Sequence, residues 1–417
     1  MVDHLFRREA GRLVAILTGR FGPEHLHLAE DVVQDALGKA MQIWPFTGVP
    51  SNPTAWILQT ARNRALDQVR RNRLWEGKQA MLLPLVEDCL NSATHAHAPR
   101  FEDEIEDSQL RMMFVCCHPG MPPDVQVALT LKVLCGFGER EIAAAFLASE
   151  AAIAKRLVRA RQYLRNERIT TDLPKEKDLA PRVAAVRQAL YLLFNEGYKA
   201  SDGPTLLREE LCADAIRLGE LLAAQPSASR PETHALLALM YFNAARLPTR
   251  TDNGGLIRTL ARQDRSLWDR EKIRLGVAHL AASGNGPAVS RYHLEAGIAA
   301  CHTLAASDAE TDWPQILGLY DDLLAHDASP VVALNRAVAL AKVDGAMAGL
   351  RAIETMAGGD ALEKYHFLHA VTGHLWLEAG ERSRALASLQ RAFDLATLKI
   401  EREHLARRME EIRAQID

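Results

Sequence analysis

The apolar residues of this chain recur at helical spacing over most of its length, in runs broken by proline, glycine and short polar stretches. Leu5–Arg20 reads as a short amphipathic helix with Leu13, Ile16 and Leu17 inward. After the Gly22-Pro23 break, Leu28–Trp44 carries a wide apolar face of Leu28, Val32, Val33, Ala36, Leu37 and Ala40. Glu30, Asp31, Gln34 and Asp35 form an acidic edge beside it. Pro45–Pro53 holds three prolines and a glycine, which predicts a loop. In Thr54–Arg73, Ile57, Leu58, Ala61, Ala65 and Val69 share one face, while Trp56, Asn63, Asp67 and Arg70 lie opposite, flanked by Arg64 and Arg71. Such a face suits nucleic acid, since guanidinium groups neutralise phosphate and flat groups stack on bases; a solvated basic helix with Trp56 in the core fits as well. Leu74–Asp103 is mixed, with His95, His97 and Pro99 in a linker and the two histidines read as incidental. Glu104–Cys117 and Pro123–Leu134 are two further helices, separated by Pro119, Pro122 and Pro123.

The stretch Gly136–Arg165 organises what precedes it. Ile142, Ala143 and Phe146 mark the apolar face of a first short helix, and Ser149 is placed to cap a second. In that second helix Ile153, Leu157, Ala160 and Leu164 repeat on one face, and Ala152, Lys155, Arg159 and Gln162 lie opposite, with Arg156 at the edge. This is the pattern of a helix-turn-helix with a basic outer face, shaped for a major groove. An ordinary helical hairpin with a solvated basic side has the same pattern.

From Leu179 onward the chain is a succession of helix patterns: Tyr191–Ser201 with Leu207–Ala223, then Ala235–Arg246, Leu260–Ala282 and His293–Ala306. Small residues recur at a spacing of seven, Gly318 with Ala325 and later Ala385 with Ala392. Gly373, Trp376, Ala385, Leu389 and Ala392 fit one tetratricopeptide unit, and Pro330, Ala337, Leu340, Gly349 and Ile353 a looser one.

Charge qualifies the picture only locally. The net charge of −3 does not mark the whole chain as a nucleic-acid binder, but Arg62–Arg73 and Lys155–Arg168 are strongly basic. No apolar run approaches a membrane span and the N-terminus lacks a signal-peptide core, so no membrane partner and a cytoplasmic location are expected. The six cysteines contain no CxxC pair and read as buried reduced thiols. Cys116-Cys117-His118 has no second ligand pair at a suitable spacing, so no metal and no cofactor are expected. No nucleophile–base constellation is present, so no catalytic residue is assigned and the chain is read as no enzyme. Asp252-Asn253-Gly254-Gly255 reads as a turn, with a contact loop as the alternative.

An acidic-edged helix, a proline-rich loop, a basic helix, a linker and a helix-turn-helix follow in order within about 170 residues, a span that suits one or two small domains. This order resembles the extracytoplasmic-function sigma factors of bacterial RNA polymerase. The likeness is carried by AEDVVQDA (Ala29–Ala36), NPTAWILQTARNRALDQVRR (Asn52–Arg71) and GFGEREIAAAFLASEAAIAKRLVRAR (Gly136–Arg161). The C-terminal motifs YLLFNEGY, QDRSLWD, TDWPQILGLYD and PVVALNRAVA resemble the subgroup with a fused helical extension, so the likeness covers nearly the whole chain. It implies an all-α fold: sigma region 2 at 1–73, a linker at 74–104, region 4 at 105–169 and a tetratricopeptide-like domain at 179–417.

It further implies contact of Asp31, Gln34 and Asp35 with the polymerase clamp coiled coil, and of the second sigma domain with the flap. Arg62, Asn63, Arg64, Asp67, Arg70 and Arg71 become candidates for reading the −10 promoter element. The loop Pro45–Asn52 stands where such factors capture a flipped base. Glu150, Ala151, Ala152, Lys155, Arg156 and Arg159 become candidates for the −35 element. Two departures bear on that last reading. Gly138 stands where a serine or threonine usually caps the first helix. Ala151, Ala152 and Ala154 stand where a Gly-Thr-Val-Lys-like run is common, so thymine methyls are open to contact and hydrogen-bond donors are few. The extension is expected to modulate activity through an intramolecular or protein partner, with Asn195, Glu196, Asp264, Arg265, Asp312 and Trp313 as contact candidates. The competing reading is a stand-alone helix-turn-helix regulator with a helical sensor, for which the segments Ala29–Ala36 and Asn52–Arg71 have no use.

Overall fold

The computed structural model describes residues 2–73, 108–146, 148–167, 169–170, 176–199, 207–252, 258–286, 288–356 and 358–414. The linker 74–104 with His95 and His97, and Asn253-Gly254-Gly255, lie outside the described residues. Among those described, the regular elements are helices, and the fold is all-α. The chain forms two compact units, residues 1–196 with 213–228, and residues 197–212 with 229–417. Residues 179–196 and 213–228, from the stretch read as the repeat domain, therefore complete the first unit.

In the first unit, α1 (Val2–Phe21), α2 (Leu26–Thr47) and α3 (Pro53–Arg73) close around Leu13, Ile16, Leu17, Phe21, Val32 and Ile57, each at most 1% exposed. Glu9, itself buried, accepts from the Thr54 hydroxyl at 2.8 Å and from Arg12 at 3.1 Å, tying α1 to the start of α3. The loop expected from Pro45 onward begins later, because α2 runs through Pro45 to Thr47. A proline deep in a helix costs about 3 kcal/mol, but Pro45 sits in the last turn. There the Gly48 N–H donates to the Trp44 carbonyl at 3.0 Å, and the Thr47 hydroxyl to that of Ile43 at 3.1 Å. Asn52 then caps α3, its Oδ1 accepting the Ala55 N–H at 3.0 Å.

The helix-turn-helix follows α4 (residues 108–116) and α5 (Pro123–Val133) and consists of α6 (Glu139–Ala145) and α7 (Glu150–Asn166). The chain leaves α5 through Gly136, at φ 67°, and the Phe137 N–H reaches back to the Leu131 carbonyl at 3.1 Å, a left-handed helix end that favours glycine. Gly138 offers no side chain to cap α6. Instead Glu141 reaches back, its Oε2 accepting the Gly138 N–H at 2.7 Å, which is the other half of a capping box. Ser149 caps α7 as expected, accepting the Ala152 N–H at 3.3 Å.

Close contacts join these halves. A Cβ on Gly11 would lie 2.3 Å from the Leu134 carbonyl oxygen, so α1 meets the end of α5 backbone to backbone. Arg161 on α7 makes a two-pronged pair with Glu30 on α2, at 3.0 and 3.2 Å. The unit is completed by α8 (Glu176–Tyr198) and α9 (Glu209–Ala224). Arg182, 7% exposed, donates to the Phe114 carbonyl at 3.1 Å, and Arg217 donates to Gln109 at 3.0 Å.

The second unit contains α10 (Pro231–Ala245), α11 (Arg270–Ser283), α12 (Arg291–Leu304), α13 (Trp313–His326), α14 (Pro330–Asp344), α15 (Ala346–Thr355), α16 (His366–Glu378), α17 (Arg382–Leu395) and α18 (Lys399–Arg413). Eleven residues of α10 are buried, on all sides, as befits a helix wrapped by its neighbours. Gly349 and Gly373 stand where helices touch: an added Cβ would lie 2.7 Å from the Ala337 carbonyl in one case and 2.9 Å from Leu389 in the other. Gly318 has open space around it and Ala325 is exposed, so that spacing of seven marks no helix contact. The expected helix Leu260–Ala282 is also broken. Asp264 and Asp269 accept the N–H groups of Ser266 and Lys272 at 2.9 and 3.0 Å, and each starts a new element.

Candidate nucleic-acid interface

α7 presents two opposed faces. Ile153, Leu157, Ala160 and Leu164 are fully buried, at 0% exposed, and hold the helix against α5 and α6. Burial of the three larger side chains is worth roughly 1.5–3 kcal/mol each, enough to fix which face looks out. Glu150, Ala151, Lys155 and Arg159 are exposed on the outer side and Ala152 is half-buried. Lys155 and Arg159 are one turn apart, so their charges stand in a row along the helix. Arg156 is differently engaged. Its Nε lies 2.9 Å from Asp124 and its guanidinium is 5.5 Å from the Phe146 ring, which ties α7 to its own domain.

The residues around the turn before α5 serve that scaffold. Tyr163 shares a hydrogen bond with His118 Nδ1 at 3.0 Å, and the Gly120 N–H reaches the same nitrogen at 3.2 Å. A Cβ on Gly120 would lie 1.8 Å from the Tyr163 hydroxyl. Cys117 lies 3.5 Å from the Thr130 hydroxyl, and burial pushes its thiol up to about 12. Burial likewise pushes Cys116 and Cys135 up, so these thiols stay protonated.

On α3, Asn63, Arg64 and Asp67 are exposed along one side, whereas Arg62 is 3% exposed and points into the domain. The side chains of Arg70 and Arg71 lie outside the described residues, although their backbone belongs to α3. Trp56 packs edge-on against Trp44 at 5.5 Å between ring centroids, half-buried rather than free. Phe46 falls within the segment Pro45–Asn52 but is not singled out by the resemblance. It is 90% exposed in the last turn of α2, beside Val49 at 62%. An aromatic next to a proline at a loop edge was the one signal available. On α2, Gln34 and Asp35 are exposed, and Asp31 is partly covered and lies 3.4 Å from His27. Glu30, from the same acidic edge, is spoken for by Arg161.

The C-terminal candidates are spread over several elements. Asn195 is exposed and Glu196 is 4% exposed, both near the end of α8. Asp264 caps a turn. Arg265 donates to the carbonyls of His302 and Ala305, at 2.7 Å each. Asp312 caps α13 through the Gln315 N–H at 2.9 Å. Trp313 packs on His302 at 5.2 Å, and burial, with Arg246 and Arg265 nearby, lowers that imidazole to about 4. Trp268 of the QDRSLWD motif is buried and donates to Thr249 at 2.9 Å. These polar–aromatic motifs thus join helices to one another.

Comparison with known proteins matches the same segments. Residues 5–74 match sigma-70 region 2, and residues 111–164 match sigma-70 region 4. Residues 182–284 match a family of unknown function, DUF6596. Over 394 residues the chain is 36% identical to an uncharacterized protein of Rhizobium meliloti (strain 1021), covering 94% of this chain and 91% of that one. No helix among the described residues is long and apolar enough to cross a membrane.

Proposed function

We propose, since this chain belongs to the extracytoplasmic-function sigma factors with an added C-terminal domain and so binds core RNA polymerase and promoter DNA to direct transcription initiation, the following division of labour. The exposed edge of α2 docks on the polymerase clamp, through Asp31, Gln34 and Asp35. α3 and the loop after α2 engage the −10 element, with Asn63, Arg64, Asp67, Arg70 and Arg71 along the helix. Arg62 supports α3 from inside. Phe46 is free to stack on an extruded base, whose flipping costs a few kcal/mol that a stacking partner must offset. α7 enters the major groove at the −35 element, and its helix-turn-helix domain also meets the flap. The chain acts in the cytoplasm as a binding protein, without a catalytic role. The observation that carries the reading is the row of Lys155 and Arg159 opposite a fully buried apolar face. α8 and α9, the first helices of the extension, hold the sigma regions in working form, as Arg182 and Arg217 support, and Asn195, Asp264 and Asp312 are the exposed contact candidates.

Two results are expected. Lys155→Ala changes base preference or affinity at the −35 element, and Arg159→Ala weakens binding evenly across sequences and lowers the salt slope by about 1. Footprinting at several salt concentrations reads both, and wild-type protection by both variants would mean α7 does not face the groove. The double variant Asp31→Ala, Asp35→Ala remains folded and loses about tenfold in affinity for core, since exposed charge pairs are worth under about 1 kcal/mol each. Normal core affinity in that folded protein would remove α2 from the docking surface. Transcription with core enzyme alone separates the sigma reading from a stand-alone regulator.

A further inference from the structure

Within the second unit, α16, α18 and the turn Leu260–Arg262 surround a cavity of about 490 Å³. Its walls are largely apolar, formed by Val338, Phe367, Val371, Leu377, Leu389 and Leu405. That size and lining fall within the range of small-molecule pockets, roughly 300–1,000 Å³. Helical interiors are otherwise close-packed, so a space of this kind forfeits contacts that an occupant would restore.

Polar groups converge on it. Glu401 is only 4% exposed; its Oε1 lies 3.2 Å from Lys199 Nζ and 3.3 Å from His366 Nε2. His404 also lines the cavity, and its Nδ1 is buried without a hydrogen-bond partner among the described residues. Arg262 and Arg408 border the same space and share one carboxylate, Glu411, at 3.7 and 2.8 Å. Two guanidinium groups against one carboxylate leave positive charge in surplus. Burial, then Arg407 and Arg262, lower the pKa of His404, as expected for an imidazole in a positive field. A cation would gain little here, because the Glu401 carboxylate already faces the Lys199 ammonium, which also sits 3.6 Å over the Phe367 ring.

We propose that this cavity binds a small amphipathic anion, with an apolar body between α16 and α18 and a carboxylate or sulfonate head at Arg262 and Arg408. The apolar body replaces the missing packing. The head meets the surplus guanidinium charge, and its oxygens fit the fork of an arginine.

The test uses the full chain and two fluorescent probes of similar body, the anionic 1-anilinonaphthalene-8-sulfonate and the uncharged N-phenyl-1-naphthylamine. The sulfonate probe is expected to saturate at one site per chain and to be displaced by decanoate. Arg262→Gln with Arg408→Gln should weaken the sulfonate probe about tenfold or more and leave the uncharged probe unchanged. Ala370→Phe and, separately, Val338→Phe fill the space and should exclude both probes. Their melting curves identify folded variants, and one folded filling variant suffices. The proposal is overturned if the wild type shows no saturable site, if a folded filling variant binds as wild type, or if the arginine pair can be replaced without loss of the sulfonate probe.

Discussion

A chain ending at Glu176 is expected to fail in transcription because its helix-turn-helix domain no longer folds cooperatively, whereas a chain ending at Ala228 keeps a folded first unit. α4 does not close on α5, α6 and α7 alone. Val183, Val186, Leu190, Leu193, Leu218 and Leu222 of α8 and α9 are all buried, and Arg182 and Arg217 are anchored on α4. Each of those apolar side chains contributes about 1.5–3 kcal/mol when buried. Even if only half of that is spent against the sigma regions, the loss rivals the whole stability of a domain, about 5–15 kcal/mol. Thermal unfolding followed by circular dichroism, beside transcription with core enzyme, compares the two fragments. If the shorter one melts as sharply as the longer and transcribes as the full chain does, the extension is an independent module on a tether. If it binds core without initiating, the extension acts after docking.

Gly11→Leu is expected to part α1 from the end of α5 without unfolding either. The atom in the way is the Leu134 carbonyl oxygen, part of the backbone, so no side chain can swing aside. Overpacking of this kind costs about 1–3 kcal/mol, enough to shift a closed pairing toward an open one by about fivefold or more. Opening has a functional meaning. On the proposed reading, in which the two regions engage separate promoter elements, release of the contacts at Gly11–Leu134 and Glu30–Arg161 would let each region reach its own element. Energy transfer between dyes on Val49→Cys and Val158→Cys, both exposed positions, reports the separation. Lower transfer, with tighter promoter binding by the free protein, is the expected result. Unchanged transfer in a folded Gly11→Leu protein would show that the contact does not hold the regions together. Glu30→Ala should act in the same direction but more weakly, since a partly exposed ion pair is worth about 1 kcal/mol or less.

What was legible in the sequence was what local periodicity encodes. The inward faces of α1, α3 and α7 and the Ser149 cap follow from spacing alone, because a helix repeats its contacts every three or four residues. α2 outran the proline expected to end it, since Thr47 and Gly48 close that last turn from positions a breaker rule does not weigh. Leu260–Ala282 was read as one helix because its apolar spacing continues; the aspartates that restart it act through single hydrogen bonds. Arg62 and Arg64 look alike in a basic run, yet one is buried and the other exposed, by the angle each holds on α3. The Arg161–Glu30 pair joins residues 131 apart, and no local pattern marks it. The same is true of the cavity between α16 and α18, which exists only once the helices are stacked.

The discontinuous first unit bears on how the protein is made. Its last segment, residues 213–228, is encoded well after the helix-turn-helix it supports. A ribosome adding about 5–20 residues per second takes several seconds to pass from the end of α7 to Ala228. During that interval α4 emerges without the helices that anchor on it through Arg182 and Arg217. If the chain ending at Glu176 fails as expected, newborn chains can compete for polymerase only once the extension has been translated. A gene truncated anywhere in that interval would then yield an inactive product instead of a constitutively active one.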